Sequence, residues 1–204
     1  MRLFHGTSTK KLDSIFKHGL RPRGRKKSLW TEYPSAPDRV YLTKAYALFF
    51  GSMAASEDGS EGAVLEVSGI DMSNLVPDED ALAQINITDM PELADMDLNQ
   101  RTAFWRKNAP KHSFLTHDSL RLLGNCAHMG TILSTEIEKC VTFDPVEVTL
   151  VCDPTITPMN YHILGERYER VLANFIDNGG GTLKELMHWW NLDHQPAETV
   201  AKSA

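Results

Sequence analysis

Two stretches decide how this chain is read: Leu3-Phe4-His5-Gly6-Thr7-Ser8, and downstream Arg39-Val40-Tyr41-Leu42-Thr43. Leu3-Phe4-His5 has the content of a short strand, and Arg39 to Thr43 is β-branched and aromatic, hence a second strand. Between them, Ser8 to His18 carries Leu12, Ile15 and Phe16 at the i, i+3, i+4 spacing of a helix face. Gly19 stands where a left-handed cap would end that helix. Leu20 to Asp38, with three prolines, one glycine and many charges, reads as a loop.

Outward from these segments, Lys44 to Ala55 reads as a helix carrying Phe49, Phe50 and Met53, and Ala63 to Val67 as a strand after a polar turn. Asp71 to Asp80 reads as a connection ending in Pro77-Asp78-Glu79-Asp80, and Met90 to Pro110 as polar helices and loops. Ser119 to Gly124 looks like a helix end, and Cys126 to Ile132, Ile137 to Phe143 and Val146 to Val151 are strand candidates. Tyr161 to Asn178 gathers Leu164, Tyr168, Val171, Leu172, Phe175 and Ile176 on one helical face. Gly179-Gly180-Gly181 breaks it, and Thr182 with Glu185 forms the capping box of a last helix. Trp189-Trp190 there reads as closing a core or touching a partner. Strands and helices mix without regular βαβ alternation, so the class is α+β. A boundary near Pro154 to Met159 divides residues 1–153 from a helical extension, 154–204, packed on the same domain.

The chain has 204 residues, 42% of them hydrophobic, enough for one full core or one domain with an appended part. No apolar run reaches the roughly 20 residues of a membrane-spanning helix. The N-terminus lacks the apolar stretch of a secretory signal. The expectation is a cytoplasmic protein without a membrane partner. Three cysteines without regular spacing imply neither a disulfide framework nor a zinc site. A formal charge of −6 argues against gripping duplex DNA by phosphate neutralisation. Positive charge is nonetheless concentrated in Arg21-Pro22-Arg23-Gly24-Arg25-Lys26-Lys27, which suits a cofactor pyrophosphate, a nucleic-acid backbone or a solvated loop.

The phosphate loop, the dinucleotide-binding glycine motif and the nucleophile elbow are all absent. What remains is His5-Gly6-Thr7 at a strand end, the helix closing in Gly19-Leu20, and Val40-Tyr41-Leu42-Thr43. In this order they resemble the ADP-ribosyltransferase superfamily, of the diphtheria-toxin and poly(ADP-ribose) polymerase type. The resemblance covers the N-terminal part well and the rest loosely. It implies a split, strongly bent β-sandwich flanked by helices, with NAD across the cleft as a substrate. It also implies transfer of ADP-ribose to an acceptor with loss of nicotinamide, and no metal. Breaking the nicotinamide–ribose bond gives an oxocarbenium-like sugar, so the cofactor must be held rigidly and positive charge favoured. On this likeness His5 donates to a ribose hydroxyl, the Gly6 backbone approaches the nicotinamide carboxamide, Thr7 adds a hydroxyl and Tyr41 stacks on the nicotinamide ring. Arg21, Arg23 and Arg25 face the pyrophosphate or the acceptor.

In this superfamily a Glu on a later strand stabilises the developing cation. The corresponding strand here, Cys126 to Ile132, holds no carboxylate, and Asn125 or His128 falls nearest its place. Two explanations stand. The acid comes from Asp78, Glu79 or Asp80, with Asp80 the first choice, in a layout that resembles rifamycin ADP-ribosyltransferases; the same run also suits a helix N-terminus. Alternatively no acid is needed, as in RNA 2′-phosphotransferases, and His128 serves with the basic loop. Glu66 and Glu136 read as structural. The resemblance suits a bacterial or phage toxin or defence effector acting on nucleic acid or protein, with an antitoxin or regulator as a companion, or else an antibiotic-modifying enzyme. A non-catalytic NAD- or nucleotide-binding module is the alternative of another class.

Overall fold

The computed structural model describes residues 1–28, 35–84, 90–145 and 161–192. It is an α+β fold built on one antiparallel sheet of six strands. The strands are β1 (Leu3–Ser8), β2 (Arg39–Thr43), β3 (Gly62–Val67), β4 (Leu75–Pro77), β5 (Asn125–Met129) and β6 (Ile137–Phe143). The helices are α1 (Leu12–His18), α2 (Ala47–Asp58), α3 (Glu79–Gln84), α4 (Leu98–Asn108), α5 (Thr116–Leu123), α6 (Tyr161–Asp177) and α7 (Leu183–Leu192). The spatial order is β4-β5-β2-β1-β3-β6.

That order has a weak seam. β1 is registered with β3 over six residues, Leu3↔Val67 to Ser8↔Gly62, and β2 with β5 over five, Arg39↔Met129 to Thr43↔Asn125. Between β1 and β2 there is one registered pair, Phe4↔Thr43. Two three-stranded halves are therefore joined at one point and diverge beyond it.

Side chains of alternate strand residues sort onto two faces. One face carries Phe4, Val64, Val141 and Phe143 under Tyr46, Ala47 and Leu48 of the α2 region and Tyr168, Val171, Leu172, Phe175 and Ile176 of α6. Burying each large α6 side chain stabilises by about 1.5–3 kcal/mol, so residues 161–177 belong to the same core as β1 and are not a loose appendage. The other face carries Leu3, Val40, Leu42, Leu65, Leu75 and Cys126 against Ile15 and Leu20. A third cluster, around Trp105, Leu82, Leu93 and Leu123, ties α3, α4 and α5 together.

Several elements differ from their expectations. Leu75–Pro77 is an edge strand rather than part of a connection; it is short, and its proline sits where an edge tolerates one. The strand expected over Cys126 to Ile132 runs Asn125–Met129, although Ile132 still bridges to Leu20. Gly19 has positive φ (77°), but its ψ of 175° lies outside the left-handed helical region, a conformation open to glycine rather than the expected left-handed cap. A Cβ there would lie 2.2 Å from Ile132 O. The α2 face that packs is Ala47, Leu48, Gly51, Ala54 and Ala55, leaving Phe49 and Phe50 half-buried and Met53 exposed. The Thr182–Glu185 capping box forms, Thr182 N–H donating to Glu185 Oε2 at 2.8 Å. The expected strand Val146 to Val151 and the boundary near residues 154–159 lie outside the described residues, as do the side chains of Leu164 and Trp190. No described helix is long and apolar enough to cross a membrane.

α2 lies directly on β1. A Cβ on Gly6 would fall 2.1 Å from Ala47 O and 2.5 Å from Gly51 N, overlaps with backbone that no rotamer relieves. Gly6→Ala is expected to destabilise the fold by about 3 kcal/mol or more, measured by urea unfolding, with α2 displaced from the sheet; an unchanged midpoint would contradict this packing.

Candidate functional site

The seam between β1 and β2 organises the site. Thr9 N–H donates to Glu61 O at 2.9 Å, which fixes the β1 alternation: odd-numbered residues bond toward β3. Phe4 and Gly6 then turn their backbone polar groups toward β2. Lys44 N–H donates to Gly124 O at 2.7 Å, so the even residues of β2 bond toward β5, and Tyr41 and Thr43 face β1. After Phe4↔Thr43 the next pair in register is Gly6 opposite Tyr41, and it is not made. The Tyr41 carbonyl instead meets the His5 side chain, Nδ1 to O 2.9 Å. The His5 ring thus stands in for a ladder bond, and the Gly6 N–H and C=O point into the gap.

A carbonyl oxygen only accepts, so His5 Nδ1 carries the proton. Burial lowers the His5 pKa, the Tyr41 carbonyl opposes this, and the charge of Lys11 lowers it further. The ring is therefore neutral, and Nε2 holds a lone pair. A hydroxyl can therefore donate to His5 Nε2.

Tyr41 is clamped at its far end. Its hydroxyl accepts from Ala36 N–H at 2.7 Å and donates to Glu79. Burial, then the neighbouring Glu79 and Asp78 charges, push the phenol pKa well up, so it stays protonated. Glu79 is fully buried and pairs with Arg39, Nη1 to Oε2 2.8 Å. Arg39 also donates to Arg106 O at 2.8 Å. Removing one partner of such a buried pair costs about 3–5 kcal/mol. Glu79 is a scaffold for the Tyr41 ring and does not line the cavity into which the gap opens.

The gap opens into a cavity of about 1000 Å³, the upper end of the roughly 300–1,000 Å³ range of small-molecule sites. It brings together His5, Gly6, Thr7, Tyr41, Arg21, Arg23, Asp78 and Asp80. Arg25 does not line it. Arg23 does, but its guanidinium is occupied by Ser35 O (2.6 Å), Lys26 O (2.6 Å) and Gly24 O (3.2 Å), holding the basic loop in shape. His128 does not line the cavity either. It lies on β5 opposite Val40 and Leu75, on the face of buried Cys126, with Nδ1 3.5 Å from Gly130 O. His5 shares that face, with Leu65 opposite it, so position along the sheet rather than parity keeps His128 out of the cavity. Asn125, 4% exposed, lines the cavity instead, on β5 opposite Thr43.

The acidic wall comes from the Pro77-Asp78-Glu79-Asp80 run, which is at once a helix start and a cavity wall. Asp78 Oδ1 accepts from Asp80 N–H at 3.1 Å, and Asp78 N–H donates to Ser119 Oγ at 3.1 Å. Burial and the adjacent Glu79 push the Asp80 carboxyl up to about 6, against the opposing pull of Arg106 at 3.1 Å. Cavity residues outside the expected set include Tyr46, Phe49, Phe50, Lys10 and Lys11, while Lys26 and Lys27 join it from the basic segment. The small residues of α2 (Gly51, Ala54, Ala55) mark its closely packed face; Phe49 and Phe50 are half-buried, Phe50 packing against the core of Phe4 and Phe175 as it lines the cavity.

Comparison with protein-family models gives no match, and no curated protein matches the chain by sequence.

The geometry offers a planar amide-bearing ring four kinds of contact: backbone donor and acceptor at Gly6, the Tyr41 face, a hydroxyl acceptor at His5 Nε2, and a carboxylate wall at Asp78 and Asp80. Because the folded Asp80 value lies above the ordinary carboxylate one, its ionisation weakens the fold as pH rises from about 4 to about 6. Asp80→Asn is expected to flatten that loss in pH-dependent unfolding. In ¹³C NMR the Asp80 carboxyl is expected to titrate near 6, and higher still in Arg106→Ala; an ordinary value near 4 would refute this.

Proposed function

We propose that this chain is an ADP-ribosyltransferase that consumes NAD, built on the split β-sandwich of that superfamily. One observation carries the reading: the sheet parts after Phe4↔Thr43, so that His5 bonds the Tyr41 carbonyl and the Gly6 polar groups turn into the gap at the cavity. The residues meeting there are those on which the sequence resemblance rests.

In this reading the nicotinamide carboxamide pairs with Gly6 N–H and C=O and its ring stacks on Tyr41. A ribose hydroxyl donates to His5 Nε2. The basic loop receives the pyrophosphate through Arg21, with Arg23 shaping the loop rather than contacting the anion. The C1′–N bond of the nicotinamide ribose breaks, its electron pair leaves with nicotinamide, and positive charge develops on the sugar. The Asp80 carboxylate, ionised above about pH 6, favours that charge across the cavity. An acceptor lone pair then forms the new bond to C1′. β1, β3, β6, the α2 region and the α6 helix serve as one body, since they share a core.

Nicotinamide release from NAD is the test. Wild type is expected to release it, and His5→Ala and Tyr41→Ala to lose about 100-fold or more in kcat/KM, since each removes a contact that aligns the reacting bond. Tyr41→Phe keeps the stacking face, so the rate is expected to change little. It leaves Glu79 and Ala36 N–H short of a partner, a stability loss of about 1–3 kcal/mol. Release at the same rate by wild type and His5→Ala, or no release by either with acceptor present, would refute the assignment.

A further inference from the structure

The chain carries 21 Lys and Arg against 27 Asp and Glu, yet its cavity is lined by seven cations, Lys10, Lys11, Arg21, Arg23, Lys26, Lys27 and Arg39, together with the carboxylates of Asp78 and Asp80. Three of the seven have work within the protein. Arg39 pairs with Glu79, Lys10 Nζ donates to Asp58 O, and Arg23 holds the carbonyls of Ser35, Gly24 and Lys26. The loop they stabilise is fixed further by Gly24 N–H on Pro37 O at 2.9 Å. That leaves Lys11, Arg21, Lys26 and Lys27, all exposed, along one rim. NAD brings only its pyrophosphate, so the rim has more positive charge than the cofactor neutralises. Clustered cations at a cleft mouth concentrate polyanions even when net charge is negative. The same cavity is lined by Phe49 and Phe50, half-buried, their ring centroids 5.5 Å apart. A basic track beside aromatic faces is the combination that binds single-stranded nucleic acid, the bases stacking and the phosphates pairing.

Resting on the reading above, we propose that the acceptor is single-stranded nucleic acid, its backbone on the Lys11, Arg21, Lys26 and Lys27 rim and a base against Phe49 and Phe50. An oxygen or nitrogen lone pair of the exposed nucleotide bonds to C1′ of the nicotinamide ribose as the C1′–N bond breaks. The electron pair leaves with nicotinamide, and the proton of the nucleophile passes to the Asp80 carboxylate and on to solvent.

The test has a binding arm and a transfer arm, both on the full chain. A fluorescein-labelled oligonucleotide of about 20 nucleotides is titrated in anisotropy. Four phosphate contacts, at a slope of about −0.7 each, predict a fall in affinity of about fifty-fold between about 50 and 200 mM salt. Lys26→Ala/Lys27→Ala reduces that to about sevenfold, whereas Arg25→Ala, outside the cavity, leaves it unchanged. In the transfer arm, NAD labelled in its adenylate phosphate is incubated with single-stranded DNA, single-stranded RNA, duplex DNA or mixed protein, and label is expected on a single strand. No salt-dependent binding, binding indifferent to the double substitution, or label on duplex or protein but not on a single strand overturns the inference while nicotinamide release leaves the transferase reading standing. Nicotinamide release with none of these acceptors overturns both.

Discussion

The structure turns on one hydrogen bond, from His5 Nδ1–H to the Tyr41 carbonyl at 2.9 Å. In a continuous sheet that carbonyl would accept from the Gly6 amide. With the imidazole in that place, β1 and β2 separate after a single pair, and two strand edges face one another across a gap inside the sheet. Unpaired edges are ordinarily a liability, because their N–H and C=O groups seek a partner. Here they become the floor of a cavity, where a ligand amide can supply what the missing strand partner does not.

Everything around the gap keeps it open and shaped. α2 is pressed on β1 through Gly6 and Gly51, which leaves β1 no freedom to swing toward β2. On the other side, Tyr41 is fixed through its hydroxyl by Glu79 and Ala36, and Glu79 is fixed by the fully buried end of Arg39. Holding an ionic pair in the core is costly unless every partner is present. The return is an aromatic face whose position does not depend on the ligand. The cavity lining combines cations, Arg21 and the lysines, with the carboxylates of Asp78 and Asp80, so both an anionic and a cationic group of one ligand could find a partner there.

The sequence made the outer parts of this arrangement readable. The extents of β2, β3, β6 and α6 follow from β-branched runs and helical periodicity, and His5, Gly6, Thr7 and Tyr41 were singled out by their order along the chain. Three things were hidden for physical reasons. β4 is three residues long and ends in proline, too short for any alternation to register. Gly6 was expected to be glycine for a ligand, whereas its missing Cβ first makes room for Ala47 O and Gly51 N. The roles of Glu79 and Arg23 depend on partners 38 and 12 residues distant, Tyr41 and Ser35, and local spacing says nothing about them. His128 looked well placed by strand order alone, but it sits opposite Val40 and Leu75 and does not line the cavity.

The central claim is that the gap beside His5 receives the nicotinamide end of NAD. The most direct measurement is the ¹H–¹⁵N resonance of the Gly6 amide during titration with NAD, read alongside the nicotinamide ring protons. The account predicts that the Gly6 amide shifts downfield and saturates as it gains a carbonyl acceptor, while the nicotinamide protons move upfield over the Tyr41 ring. A Gly6 amide that stays in place while NAD shifts resonances elsewhere, or shifts none, would contradict it.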